Sequence, residues 1–361
     1  NMKTNIQTII TGSGSCIPEV VVNNDFFRNF TFYDPATRAP FEKDNEEIIE
    51  KFREITNINE RRYCREDENA SDLGFKAALD AIESSGVDPE TIDFIIAGHN
   101  FGVMQANNYR IDMIPCLAAR IKQKLGIKNP AMFAHDVIAG CPGWVQALIV
   151  ADLYIKRGQY KRGLVVGADV CSRSADPFDR DAMIFADGAG AVLLEGLETE
   201  EQVGILSHAI QTDAAEADYL LSGVSLKPDF GKDELFIRMQ GHKVYVYALT
   251  NVPKVVKKSL QQAGLNLTDV KKVLIHQANE KMDQAILERV FKLYKIKDIP
   301  EDVMPMTISF LGNSSAATVP TLYDLVAKGK MENHRFEPGD VIIFTSVGAG
   351  MIINSVVYKL P

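Results

Sequence analysis

Phe94-Ile-Ile-Ala-Gly-His-Asn100 and Val273-Leu-Ile-His-Gln-Ala-Asn279 follow one pattern, an apolar run that ends on polar residues. What precedes them matches as well. A helical pattern over 72–85 leads through Gly86 and a polar turn into the first, and one over 248–263 leads through Gly264 and Asn266-Leu-Thr-Asp269 into the second. A glycine just past the last periodic residue is a helix-stop signal. A second echo keeps the same order: Asp187-Gly-Ala-Gly-Ala-Val-Leu-Leu-Glu195 returns as Val347-Gly-Ala-Gly-Met-Ile-Ile-Asn-Ser355. Helix–glycine–strand units recur in many α/β proteins, but two echoes in the same order, at offsets near 179 and of 160 residues, indicate duplicated halves of about 180 residues. We divide them as 1–200 and 201–361.

Further strands are expected over 6–11, 162–170, 203–210, 341–345 and 351–359. Helices are expected over 45–56, 111–125, 142–157, 281–294 and 319–328. The strands are rich in Val and Ile with little alternation, which suits sheets buried on both faces. Strands alternating with helices give an α/β class, with helices between and around two sheets. Segments 23–44, 101–112 and 212–236 lack a period and read as surface or lid loops.

Composition narrows the function. The 361 residues are 46% hydrophobic and 24% charged, an ordinary folded enzyme. Net charge is −9 with no basic tract, which argues against nucleic acid and anionic membranes as partners. No apolar run reaches the roughly 18 residues of a membrane span, and nothing reads as a signal peptide. Five widely spaced cysteines (Cys16, Cys64, Cys116, Cys141 and Cys171) predict reduced thiols in a cytoplasmic enzyme and neither a disulfide framework nor a zinc site.

Of these, Cys141 stands apart. In Phe133-Ala-His-Asp-Val-Ile-Ala-Gly-Cys141-Pro-Gly-Trp-Val-Gln-Ala-Leu148 a strand meets a small-residue turn, and a helix opens with Pro142 in its first turn. Free N–H groups and the positive dipole end at a helix start favour a thiolate there. Two later motifs supply what a nucleophilic cysteine needs: His276-Gln-Ala-Asn279 at a strand end, and Gly312-Asn-Ser-Ser-Ala-Ala317 before a helix. Histidine suits acid/base work and hydrogen-bond donation, and asparagine is a fixed neutral donor. The other four cysteines read as structural, and His135 and Asp136 as facing away from the nucleophile or packed. Neither Gly-Ala-Gly turn has the full dinucleotide fingerprint.

Taken together, the cysteine element, His276-Gln-Ala-Asn279, Gly312–Ala317, Phe185-Ala-Asp-Gly-Ala-Gly-Ala191 and Gly348-Ala-Gly350 resemble the β-ketoacyl-ACP synthase III group of the thiolase superfamily, in order and over about 5–360. The resemblance implies thiolase-like duplicated halves in an α-β-α-β-α arrangement with two mixed five-stranded sheets, and a homodimer. It implies that Cys141 is acylated, and that His276 and Asn313 donate to the extender's thioester carbonyl during decarboxylation. The backbone N–H groups of Cys141 and Ala349 would form the oxyanion hole. Arg180, Gly241, His242 and Asn279 would line the pantetheine path, and Lys281 would face an acyl carrier protein. No metal or cofactor is implied, acyl-CoA or acyl-carrier phosphopantetheine being substrate.

The resemblance breaks at Glu50-Lys-Phe-Arg-Glu-Ile-Thr-Asn-Ile-Asn-Glu-Arg61. The family carries there a Trp and an Arg that grip the coenzyme A adenine. Here no Trp is present and Ile55 replaces the Arg. That argues against ordinary acetyl-CoA priming and for another starter, or one delivered by a carrier, as in a specialised polyketide-type pathway. The expected reaction is a decarboxylating Claisen condensation of a Cys141-bound acyl group with malonyl-carrier protein, in fatty-acid initiation or a specialised polyketide-type pathway. The alternatives are transfer of that acyl group to an alcohol or amine, and a non-catalytic paralogue that binds acyl carriers.

Overall fold

The computed structural model describes residues 5–231 and 233–361. In chain order the strands are β1 (Ile6–Cys16), β2 (Val20–Asn23), β3 (Glu60–Tyr63), β4 (Phe94–His99), β5 (Phe133–Ile138), β6 (Arg162–Val170), β7 (Asp187–Glu198), β8 (Gly204–Thr212), β9 (Leu220–Gly223), β10 (Phe236–Met239), β11 (Val270–Ile275), β12 (Val341–Gly348) and β13 (Ile352–Lys359). The helices are α1 (Asn45–Thr56), α2 (Ala70–Ser85), α3 (Leu117–Leu125), α4 (Gly143–Lys156), α5 (Gly241–Gln262), α6 (Glu280–Leu293), α7 (Ile308–Leu311) and α8 (Thr318–Ala327).

One sheet has the order β1-β7-β6-β4-β5 and the other β8-β13-β12-β11. Each is antiparallel toward one edge, β1-β7-β6 in one and β8-β13-β12 in the other, and parallel toward the opposite edge, β6-β4-β5 in one and β12-β11 in the other. Because side chains alternate across a strand, each strand feeds two cores. Phe94 and Ile96 of β4, with Ile342 and Phe344 of β12, pack around Trp144 and Leu148 of α4 and Val319 and Leu322 of α8, between the sheets. Ile95 and Ala97 pack outward against Leu73 and Ala77 of α2 and Ile121 of α3. Ile343 and Val347 pack outward against α5 and α6. The result is the expected α-β-α-β-α order.

Three expectations need correcting. Among the described residues the second sheet has four strands, not five. The segment that would be the fifth runs beside β11, with the Val303 carbonyl accepting from Val273 N at 2.7 Å. Pro305 has no N–H to donate, so a ladder cannot continue. The Gln277 side chain takes over, donating to Pro305 O (2.8 Å) and accepting from Thr307 N (2.9 Å). The second echo is also out of register: Gly188 and Gly190 lie inside β7, whereas Gly348-Ala-Gly350 closes β12 and turns toward β13. Helix α3 starts at Leu117 and not near 111, since Pro115 precedes it and the Asp136 carboxylate accepts from Leu117 N and Ala118 N (2.7 and 2.8 Å). No helix among the described residues is long and apolar enough to cross a membrane.

Candidate active site

Strand β5 delivers the chain to Ala139 and Gly140, and Cys141 follows immediately. Pro142 is the N-cap of α4 (φ −66°), so the helix opens one residue later than the sequence implied. Gly140 has φ +64°, a backbone that side chains disfavour. Space makes a second demand. A Cβ on Gly140 would sit 2.8 Å from Ala349 N, and one on Gly348 would sit 2.9 Å from Cys141 N. The turn after β12 therefore lies directly on the cysteine turn. Asn354 Nδ2 of β13 fastens it by donating to Pro142 O at 3.1 Å. Outside regular elements, neither Cys141 N nor Ala349 N meets a backbone acceptor among the described residues.

His276 follows β11, its N–H donating to Thr345 O of β12 at 2.9 Å. Its ring is 3% exposed, and Nδ1 has no hydrogen-bond partner in the fold. Asn313 follows α7 through Gly312 and is held by backbone bonds to both sides of Phe185: Asn313 N to Ile184 O (3.0 Å) and Ala186 N to Asn313 O (2.8 Å). Its Oδ1 accepts from Ser315 N at 2.8 Å. With the carboxamide oxygen committed, the nitrogen is the end left to donate.

Ser315 joins Cys141 to Asn313: its hydroxyl donates to Cys141 Sγ at 3.4 Å and its N–H donates to Asn313 Oδ1 at 2.8 Å. Two cavities flank this cluster. One, of about 370 Å³, is mainly apolar and is lined by Cys141, Phe101, Ile138, Leu221 and Ile237, with Ala349 at its wall. The other, of about 530 Å³, runs from Asn313 outward and brings together Arg180, Gly241, His242 and Asn279. Phe185 lines the first, and the adjacent Ile184 lines the second. Arg180 lies 5.2 Å from the Phe41 ring centroid, and Gly241 and His242 open α5. Asn279 also caps α6, accepting from Met282 N at 2.7 Å. Ile55 lines the outer cavity where a guanidinium was expected. Lys281 does not line it; it is exposed on the first turn of α6.

The family profile described as 3-oxoacyl-[acyl-carrier-protein (ACP)] synthase III matches residues 135–214, and its C-terminal profile matches 260–360. The chain is 33% identical to β-ketoacyl-[acyl-carrier-protein] synthase III of Erythrobacter litoralis, over 96% of this chain and 97% of that one. The chain belongs to the synthase III family. It is likewise 33% identical to synthase III 1 of Vibrio vulnificus, over 97% and 98% of the two chains. The crystal structure of the Thermus thermophilus synthase III superposes with a TM-score of 0.79 at 27% identity, covering 98% of this chain and 99% of that one.

Electrostatics correct one reading of this synthase III chain. A helix-start thiolate was expected, yet burial, reinforced by Asp169, pushes the Cys141 thiol up to about 12. Only the Ser315 hydroxyl and the residue's own N–H pull it down. The resting sulfur is a thiol. His276 is lowered to about 4 by burial, so its imidazole is neutral at pH 7. Asp136 and His135 take no part: Asp136 accepts from His99 Nε2 at 2.7 Å, and His135 stacks on Phe133.

Three residues of the cluster were not singled out from sequence: Ser315, Asn100 and Asp169. Asp169 is 1% exposed within an otherwise apolar strand. A lone carboxylate in a buried run is a signal, because burial without partners is unfavourable.

The His276 shift gives a pH test. Between the unfolded value of 6.5 and the folded value of about 4, the unfolded chain binds the extra proton, so the contribution of His276 to stability falls as pH drops through that window. The loss reaches roughly 3 kcal/mol if the full shift applies. Denaturant melts of wild type and His276→Gln should converge, or cross, as pH falls from 6.5 to 4. A pH-independent gap would contradict a buried neutral imidazole.

Proposed function

We propose that this chain is the acyltransferase that condenses a Cys141-bound acyl group with malonyl-acyl carrier protein, releasing CO2 and a β-ketoacyl thioester. The observation that carries this reading is the cluster around Ser315, which ties a thiol facing the apolar cavity to an asparagine facing the outer channel. In the first step the Cys141 sulfur attacks the starter thioester, its C–S bond breaks, and the proton of Cys141 ends on the departing thiol. In the second, His276 and Asn313 donate to the malonyl thioester carbonyl. The carboxylate leaves as CO2, and the enolate charge rests on that oxygen. The enolate carbon then attacks the acyl-Cys141 carbonyl, whose oxygen accepts hydrogen bonds from the N–H groups of Cys141 and Ala349; the C–S bond breaks, and the Cys141 thiolate that leaves takes a proton from water to restore the thiol. Donors fixed where charge develops accelerate such steps by about 10²–10³ each, and a neutral imidazole can give its proton to a hydrogen bond without being charged. No bound cofactor enters.

The supporting features extend outward. Arg180, Gly241, His242 and Asn279 share the channel a phosphopantetheine arm would thread. Lys281, with Lys43 and Lys51 at the channel wall, offers positive charge to an acidic carrier on an acidic protein. Ile55 at this wall offers neither indole nor guanidinium to an adenine, which favours a starter other than acetyl-CoA or one brought by a carrier. The halves 1–200 and 201–361 meet at Cys141, the first supplying the sulfur and the second His276 and Asn313. We read the chain as a cytoplasmic homodimer, paired through the unpartnered edge of β5; sedimentation at the mass of one chain would contradict the pairing.

Intact-protein mass spectrometry against a panel of acyl-CoA and acyl-carrier donors should give one acyl adduct. CO2 should then be released from malonyl-carrier protein. An adduct without CO2 release would favour transfer to an alcohol or amine, and no adduct with any donor would indicate a non-catalytic paralogue.

A further inference from the structure

Behind the nucleophile lies a chain of hydrogen bonds with one direction. Asp169, at the end of β6, accepts from Asn100 N and Nδ2 at 2.9 and 2.8 Å, and from Ala316 N at 3.2 Å. A carboxylate accepts only, so it settles which end of the Asn100 amide is nitrogen. The second Nδ2 hydrogen of Asn100 goes to Ser315 Oγ. A hydroxyl that receives a donor on its oxygen turns its own hydrogen elsewhere, and the partner here is Cys141 Sγ at 3.4 Å. The backbone supports the arrangement at a cost. Ser315 holds φ +55°, in the left-handed region that a serine rarely adopts, between the Asn313 and Asp169 anchors. Strain kept in place by two anchors at a reactive sulfur points to a positional demand.

We propose that Ser315 is a positioning residue for acyl loading, its hydroxyl aimed at the Cys141 sulfur by Asn100 and Asp169 so that negative charge forming there meets a fixed donor. The proposal rests on Cys141 being the acyl acceptor. No proton is transferred through Ser315. It hydrogen-bonds the sulfur while the thiol proton passes to the leaving thiol and the new C–S bond forms. The ionisable groups facing this sulfur are Asp169 and Cys171 at the β6 end, with His99 of β4 behind Asp169. Burial and Asp169 both oppose a thiolate, which is why one well-aimed donor matters.

The test is the pH profile of Cys141 alkylation by iodoacetamide, followed at its tryptic peptide so that Cys171 is not counted. A hydrogen bond to a charged group is worth about one pH unit or more in such a profile. Ser315→Ala, which keeps Cβ and removes only the hydroxyl, should move the profile up by about one unit and slow alkylation about tenfold on its lower limb. Asn100→Ala should move it by less, and adding Asn100→Ala to Ser315→Ala should move it no further, since both act through one hydroxyl. Thermal melts would show whether each variant folds. A folded Ser315→Ala protein with the wild-type profile would overturn the proposal. So would an Asn100→Ala shift that persists without the Ser315 hydroxyl. Alkylation needs no substrate, so this outcome is separable from failure of the condensing reaction itself, which would appear as an absent acyl adduct on the wild-type protein.

Discussion

Cys141→Ala will carry no acyl adduct, whichever thioester is offered, a loss of at least a hundredfold by intact mass. The reason is that no other thiol can stand in. Cys171 lines the same cavity, but burial and the nearby Asp169 and Asp187 carboxylates hold its thiol well above the usual thiol range. Cys16, Cys64 and Cys116 do not line the cavity, so a thioester seated there does not meet them. Cys171→Ala should therefore keep the adduct. An adduct of wild-type yield on Cys141→Ala would remove the basis of the mechanism.

Asn313→Ala should load within about twofold of wild type yet release CO2 about 10²–10³-fold more slowly, the usual consequence of losing one donor at a developing oxyanion. The separation follows from geometry: Asn313 lines the outer channel and not the apolar cavity. Truncation also frees Ser315 N, so Asn313→Asp is the sharper variant. It keeps an acceptor for Ser315 N and replaces the channel-facing donor with an oxygen that repels the enolate. Equal losses of loading and decarboxylation in Asn313→Asp would show that the two residues do not divide the work as proposed.

Much of this was legible in the sequence because its signals are local. Helix–glycine–strand units repeat, strands alternate with helices, and Cys141, His276 and Asn313 each end or begin an element. The missing fifth strand was less visible. Its cause is Pro305, whose effect depends on Gln277 reaching across to replace the ladder, and a side-chain bond between separate segments leaves no periodicity. The thiolate expectation failed for a similar reason. The helix start is local, but the desolvation that outweighs it comes from both halves closing around Cys141. Ser315 lay inside a quoted motif, and only its contacts with Asn100 and Cys141, far away in sequence, distinguish it from a turn residue.

Gly140 and Gly348 bring two long-separated stretches so near that one methyl group on either would force them apart. The amides of Cys141 and Ala349 thus come from stretches far apart in the chain. A fragment ending near 200 would retain the sulfur without Ala349 beside it, and its complement would retain His276 and Asn313 without the sulfur.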